Sequence, residues 1–426
     1  MNREMKNSEV KWIGDIPLVW EMIPNKYLFV EHCDNVGEKW NECQLLSLTT
    51  KGVKEKDINS SGGKVPNSYD NYQIVKPGDI IFCLFDLDVS AVFSGLSSLN
   101  GMITSAYNVY TVNHKYIDEL FANYWFQYVF SNRYYKTYSK NIRYTITSEN
   151  FGLIKTPCPS IEEQRKIGKY LDKKKLQIDA LIANQEKQIE KLKEYKQSLI
   201  TKVVTKGLNP NVKMVDSGIE WIGKIPSNYK MTPMKYLGEI RNGLTYSPSD
   251  MTSEDKGRLV LRSSNIQNGK LIFEDNVYVD CDVKEELIVR KNDILICSRN
   301  GSRKLIGKNA LIYEDYDFSF GAFMMIFRTS ENAKYIYYIL NSNVFAYYLG
   351  TYLTSTINQL TGSNFNSMIV PYCCDTEDQT RIVEYLDKKC SSFDKLIQIK
   401  QYKIEKLQNY KKSIIYEYVT GKKEVY

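Results

Sequence analysis

The sequence predicts an α+β protein written twice: two globular domains separated by two long antiparallel helices that form an intramolecular coiled coil, with a pseudo-twofold that descends from internal duplication. Three observations predict it. Residues 162–174, EEQRKIGKYLDKK, return at 377–389 as EDQTRIVEYLDKK with eight of thirteen positions identical. Other motifs repeat in the same order: WIGDIP (Trp12–Pro17) as WIGKIP (Trp221–Pro226), VKPGDIIFC (Val75–Cys83) as VRKNDILIC (Val289–Cys297), and Asn150 and Phe151 as Asn364 and Phe365. Their offset drifts only from 209 to 215, so one unit of about 213 residues is repeated, far longer than a solenoid period. The third observation is a narrow apolar stripe with charged flanks in each half, which is a coiled-coil pattern rather than that of a helix lying on a domain.

The first domain, residues 1–158, mixes short β-branched and aromatic runs such as NYQIVKPGDIIFCLF with Gly, Asn and Ser breaks. A long helix, 159–206, follows Pro157 and Pro159, with Ser160 and Glu163 reading as a capping box. Its stripe is Leu171, Ile178, Ile182, Ile189, Leu192 and Leu199. A linker, 207–218, leads to the second domain, 219–372, which carries strand runs such as LVLRSSNI and a helical stretch AKYIYYILNSNVFAYYL. The second long helix, 373–422, opens at a Thr376 to Gln379 box and repeats the stripe as Leu386, Phe393, Ile397, Ile404, Leu407 and Ile414. About 44 residues of helix span about 66 Å, so each rod outreaches one domain. Because the linker is short, the second rod pairs with the first by running back antiparallel. Gln185 with Lys400 and Lys196 with Lys411 are polar seam positions able to set register.

Composition narrows the function. An apolar fraction of 43% and a charged fraction of 25% describe a soluble globular chain, the N-terminal MNREMKNSEVKWIG lacks the apolar core of a signal peptide, and runs such as IIFCLF are too short to span a bilayer. A cytoplasmic protein without membrane contact is the expectation. Nine cysteines show no C-x-x-C pair, and His32 and His114 are the only histidines, so no metal site is spelled out and buried free thiols are expected. The net charge of +7 favours an acidic partner mildly. Thirty-three tyrosines are interleaved with Lys, Arg, Asn and Ser, as in NRYYKTYSKNIRYTITSENF (Asn132–Phe151), a mixture that supplies stacking faces and hydrogen bonds to nucleic acid, although for most of them core packing is the better reading.

Catalytic motifs fail one by one. GSRKLIGKN (Gly301–Asn309) has one residue too many between its glycines for a P-loop and Asn309 where magnesium needs Ser or Thr. The nearest approach to an amino-methyltransferase tetrad is Asn209, Pro210 and Asn211 in the linker. Asp250, Glu254 and Lys256 mimic a nuclease spacing but have no counterpart in the first half. A binding role follows, with no catalytic residue.

With these motifs together and in order, the chain resembles the specificity subunit of type I restriction-modification systems over essentially its full length. SGIEWIGKIP (Ser217–Pro226), EEQRKIGKYLDKK and VVTKGLNP (Val203–Pro210) carry the resemblance. It implies that the two domains are target-recognition domains, that the helices are conserved spacers, and that the chain reads an asymmetric bipartite target in double-stranded DNA. It further implies two methyltransferase subunits acting on adenine N6 and restriction/translocase subunits as partners. No cofactor is then bound by this chain, S-adenosylmethionine, ATP and magnesium belonging to those partners. Rival readings are a stand-alone DNA-binding coiled-coil scaffold and a nuclease with unrecognised active residues.

Arg, Lys, Asn and Gln in Gly-, Ser- and Asn-rich loops are the expected DNA contacts, because they supply bidentate base readout and phosphate anchoring. In the first domain these are Lys51, Lys54, Asn59, Ser60, Lys64, Lys140, Asn141, Arg143 and Tyr144. In the second they are Arg262, Asn265, Arg299, Asn300, Ser302, Arg303, Thr354, Ser355, Asn358 and Gln359. The loops differ between halves, CLFDLDVSAVFSGLSSLNGMITSAY against CSRNGSRKLIGKNALIYEDYDFSFGAF, so unlike half-sites are expected.

Overall fold

The computed structural model describes residues 3–57, 68–139, 144–353 and 358–425. The chain divides into two units, Met1–Glu186 with Gln401–Tyr426 and Lys187–Lys400. Two uninterrupted helices, Ile161–Lys206 and Thr376–Val419, contribute residues to both.

Each unit is an α+β fold built on the same local devices. In unit 1 Met5–Asn7 pairs with Asp15–Pro17, and the turn between them sets Gly14 at φ 70°, left-handed backbone that glycine enters without steric cost. In unit 2 Met214–Asp216 pairs with Lys224–Pro226 around Gly223 at φ 66°. This turn explains the repeated WIG. Ile13 and Ile222 are buried, while Trp12 stacks on Tyr134 at 4.5 Å and Trp221 on Tyr347 at 4.1 Å.

The central sheet of unit 1 orders Phe29–His32, Asn108–Val112, Ile80–Phe82 and Ser94–Leu96, all antiparallel. That of unit 2 orders Glu239–Asn242, Met324–Arg328, Ile294–Cys297 and Asn309–Leu311 in the same way. Runs such as ILIC and MMIF form the inner strands because both of their faces are buried, which selects continuous apolar residues over alternation. Before each inner strand, VKPGD and VRKND make one turn: Asp79 N–H donates to Lys76 O and Asp293 N–H to Arg290 O, with Gly78 at φ 94° and Asn292 at φ 72°. Asparagine tolerates that region better than other residues with a side chain, so the second copy keeps the turn without glycine.

The repeated thirteen residues dock each long helix onto its own unit. Ile167 and Leu171 enter the unit 1 core, and Ile382 and Leu386 that of unit 2. Asp172 accepts from Tyr124 Oη at 3.1 Å, and Asp387 accepts from Tyr338 Oη at 2.6 Å and Lys334 Nζ at 2.7 Å. Burial first, and these carboxylates after it, push both tyrosine hydroxyls up from their ordinary range. Gln164 and Gln379 are fully buried: Gln164 Nε2 donates to the carbonyls of Tyr116 and Pro159 and its Oε1 accepts Asp118 N–H, while Gln379 Nε2 donates to Cys373 O and Tyr372 Oη.

Neither helix start is the reciprocal capping box expected from sequence. Ser160 caps Glu163 N–H, but the Glu163 carboxylate turns to Arg3 and Trp20 instead of back to the cap. The second helix is capped by Asp375, whose Oδ1 accepts the Glu377 and Asp378 N–H groups, so Thr376 lies inside the helix. The helical stretch after Asn332 is also two helices, Ala333–Leu340 and Asn343–Tyr352, because Ser342 caps the second at Val344 N–H. Of the nine cysteines five are buried, whereas Cys33 and Cys374 are exposed, so the expectation of buried thiols holds only in part.

Every apolar stripe residue is buried or half-buried. Within unit 1 Tyr170 packs on Tyr418 and Asp179 pairs with Lys411 at 2.5 Å; within unit 2 Tyr195 packs on Phe393 and Lys196 pairs with Asp394 at 2.7 Å. Partners in each unit run in opposite directions. The helix ends clasp the WIG turns: Lys422 Nζ donates to Asp15 O at 2.6 Å, and Lys206 Nζ to Ile222 O at 3.0 Å and to Lys224 O. No helix among the described residues is long and apolar enough to cross a membrane.

Candidate nucleic-acid interface

In unit 2 the inner strand Ile294–Cys297 runs out into SRNGSRK, residues 298–304. Two neighbouring segments hold this loop by backbone. Ser298 and Arg299 N–H both donate to Phe323 O, at 2.9 and 3.1 Å, and Leu360 N–H donates to Ser298 O at 2.8 Å. Arg299 also bridges Gln359 antiparallel. Asn300 Nδ2 then donates to Ser263 Oγ at 3.1 Å, while Lys308 Nζ donates to the Ser263 carbonyl at 2.8 Å. Burial lowers the pKa of the Lys308 ammonium, with Cys297 opposing the shift. Lys308 therefore serves the loop as a backbone pin, and the sequence GSRKLIGKN forms no phosphate cradle: Asn309 is a buried strand residue.

These bonds gather Arg262, Arg299, Asn300, Ser302, Arg303, Asn358 and Gln359 around one end of the sheet, with Arg299, Ser302, Arg303, Asn358 and Gln359 exposed. Arg262 is tied to Asp275 by its carboxylate at 2.9 Å and its carbonyl at 3.0 Å, and Arg303 Nη2 donates to Gly350 O at 3.3 Å. Asn265 is a correction. It is 0% exposed, and its amide is consumed by Arg262 N–H, Ile272 O and Asn276, so it shapes the turn instead of facing a ligand. Thr354 and Ser355 lie outside the described residues.

Unit 1 repeats the frame with different chemistry. Ile146 N–H donates to Leu84 O at 2.8 Å, the counterpart of Leu360 on Ser298, and Leu87 N–H donates to Tyr144 O at 3.3 Å. The loop reads LFDLDVS and carries Asp86 and Asp88, whereas the unit 2 loop carries Arg299, Arg303 and Lys304: a charge of −2 against +3 over residues 84–90 and 298–304. Arg133 is spent on this loop, donating to Leu87 O at 3.1 Å and Ser90 O at 2.8 Å with its guanidinium over Phe130. Tyr144 sits under Lys136 Nζ at 4.1 Å. Lys51 and Lys54 are exposed on a separate hairpin, Leu46–Thr49 with Gly52–Glu55. Burial, then the Lys411 charge, lower the pKa of the Lys175 ammonium against the opposing pull of Asp179 and Asp172. Asn59, Ser60, Lys64, Lys140, Asn141 and Arg143 lie outside the described residues.

Sequence reasoning missed Phe323, which is 58% exposed beside Arg299. In the text it opens the apolar run FMMIF and so reads as core. The repeat carries no signal for it either, because strand register sets Phe323 in the place of Ala106.

A family model for the type I restriction modification DNA specificity domain matches residues 226–409. Over those residues, somewhat under half of the chain, the sequence is similar to that family. Relatives in the specificity family include the type I restriction enzyme MjaVIII specificity subunit of Methanocaldococcus jannaschii, 26% identical over 362 residues, covering 82% of this chain and 80% of the relative. The type I restriction enzyme EcoKI specificity subunit of Escherichia coli K12 is 26% identical over 178 residues, 40% of this chain and 38% of that one. A solved chain from work on complex assembly and conformational transition of the type I R-M system has a TM-score of 0.68 at 15% identity, covering 95% of this chain and 99% of that one, which shows a shared fold.

Proposed function

We propose that the chain is the subunit that reads an asymmetric, bipartite DNA target and directs adenine-N6 methyltransferase and restriction subunits to it. One observation carries this reading: the same four-strand order occurs twice, and the loops at the equivalent sheet end carry opposite charge. Duplicated frames with unlike loops suit two half-sites of unlike sequence. Residues 1–158 and 219–372 are then the two target-recognition domains, with Lys51, Lys54 and Tyr144 on the first and the Arg299 cluster on the second facing DNA.

The helices act in this reading as an antiparallel coiled coil that fixes the unread gap. Supporting it, Asp179 with Lys411 and Asp394 with Lys196 are the same pair in two copies, 215 residues apart. Charged pairs at matching seam positions favour one register over its neighbours. S-adenosylmethionine, ATP and magnesium act on the partner subunits, two of them methyltransferases.

Reconstitution tests the reading. A methyltransferase encoded beside this chain is expected to methylate adenine in target DNA only after the purified chain is added. Equal methylation without it, or cleavage of DNA by the chain alone with magnesium, would refute the proposal.

A further inference from the structure

We propose that Arg299 and Phe323 form one guanine-reading pair, the arginine donating to the major-groove edge of a guanine in the half-site of unit 2 and the ring setting its direction. The inference rests on the DNA-reading function proposed above and adds the base and the residues.

Unit 2 holds eight arginines. Six of them, Arg241, Arg258, Arg262, Arg290, Arg328 and Arg381, are paired with carboxylates, and Arg303 donates to a carbonyl. Arg299 alone makes no side-chain hydrogen bond or ion pair with a described residue. Its guanidinium instead lies 5.2 Å from the centre of the Phe323 ring. A ring face attracts the cation while leaving the N–H edge of the fork unspent.

The backbone under both residues is fixed. Arg299 N–H is bonded to Phe323 O on one side, and the residue is bridged to Gln359 on the other. Behind Phe323, the turn is backed by Gly243, where a Cβ would come within 2.1 Å of the Gly321 carbonyl. A rigid, uncompensated, planar fork matches the O6 and N7 acceptors of guanine, the commonest specific contact of arginine. A phosphate anchor needs only a charge, and exposed Lys304 in the same loop already offers one.

In unit 1 the residue in place of Arg299 is Phe85, strand register puts Ala106 in place of Phe323, and the Phe85 ring stacks on Tyr107 at 6.1 Å with an interplanar angle of 13°. No guanidinium stands there. The guanine contact therefore belongs to one half-site only, which makes this pair a source of the target's asymmetry.

The test uses the full chain with its methyltransferase subunits. Methylation mapping first gives the wild-type target, and binding is then measured on duplexes with each base pair exchanged. Arg299→Ala is expected to remove on the order of 10-fold to 100-fold discrimination at one G·C pair of one half-site and none in the other half-site, which serves as the folding control. Phe323→Leu keeps the turn filled and is expected to lose about 2- to 5-fold at the same base pair. Unchanged discrimination in Arg299→Ala would overturn the pair, as would equal weakening on every duplex, the mark of a phosphate contact. A wild-type chain that directs methylation to no split target would overturn the function proposed above and this pair with it.

Discussion

Asp293→Ala is expected to cost unit 2 about 3–5 kcal/mol, the range for removing one partner of a buried ion pair and leaving the other charge behind. Asp293 is 1% exposed. Its two oxygens take Arg328 Nε at 2.8 Å and Nη2 at 2.7 Å, and Oδ2 also accepts Arg290 N–H at 2.8 Å. Arg328 ends the inner strand Met324–Arg328, and Asp293 directly precedes its neighbour Ile294–Cys297. The substitution therefore strands a guanidinium and loosens the turn between Arg290 and Asp293 in one step. Asp79, the same position in unit 1, is the control. It accepts from Lys76 N–H and Thr111 Oγ1 and meets His32, so Asp79→Ala leaves no permanent cation and is expected to cost about 1–3 kcal/mol. Urea unfolding followed by hydrogen exchange, which reports each unit separately, checks the difference. Equal losses would show that the ion pair adds nothing beyond the turn.

A four-residue insertion in both long helices, after Glu186 and after Lys400, is expected to lengthen the unread gap of the target by one base pair while both half-sites stay the same. Four residues add about 6 Å of rise and about 40° of rotation to a helix. One base pair adds about 3.4 Å and about 34–36°. The rotations agree, so one base pair is the phase-matched answer even though the rise alone would allow two. A seven-residue insertion adds about 10.5 Å with almost no net rotation, whereas three base pairs turn DNA by about 100°, and modification is expected to fall sharply. Insertion in one helix alone would move Lys196 from Asp394, or Lys411 from Asp179, and is expected to lower the melting temperature. Methylation mapping reads the gap directly. An unchanged gap in the double insertion would rule out the helices as the spacer.

The duplication is legible in the sequence because its most repeated residues are those that dock a helix onto a sheet domain. Gln164 and Gln379, Leu171 and Leu386, and Asp172 and Asp387 make matching contacts in their own units, and any change would break a buried bond. The long helices are legible for a similar reason, since every stripe residue is covered. Their caps are less so: aspartate, serine and threonine all serve as caps, and a repeat that substitutes Asp375 for Ser160 hides the shift by one residue.

The candidate interface is legible only as a set of loops. Arg299 and Asn265 look alike in the text, both polar and both in Ser- and Asn-rich turns. Yet one ends exposed over a ring and the other enclosed by Arg262, Ile272 and Asn276. Arg299 is placed by Phe323 and Gln359, 24 and 60 residues away, and Asn265 by a turn that closes on it from 3 to 11 residues away, and polarity alone does not tell the two apart. Phe323 escapes for the opposite reason, an apolar residue at the head of an apolar strand whose exposure is decided by the turn before it.

Methylome sequencing of a host carrying this chain with its methyltransferase subunits, against the same host without the chain, tests the central claim that two alike frames read two unlike half-sites. The predicted result is N6-methyladenine, dependent on the chain, in a single split target with unlike halves and one constant gap. A palindromic target, a contiguous one, or methylation that persists without the chain would contradict it.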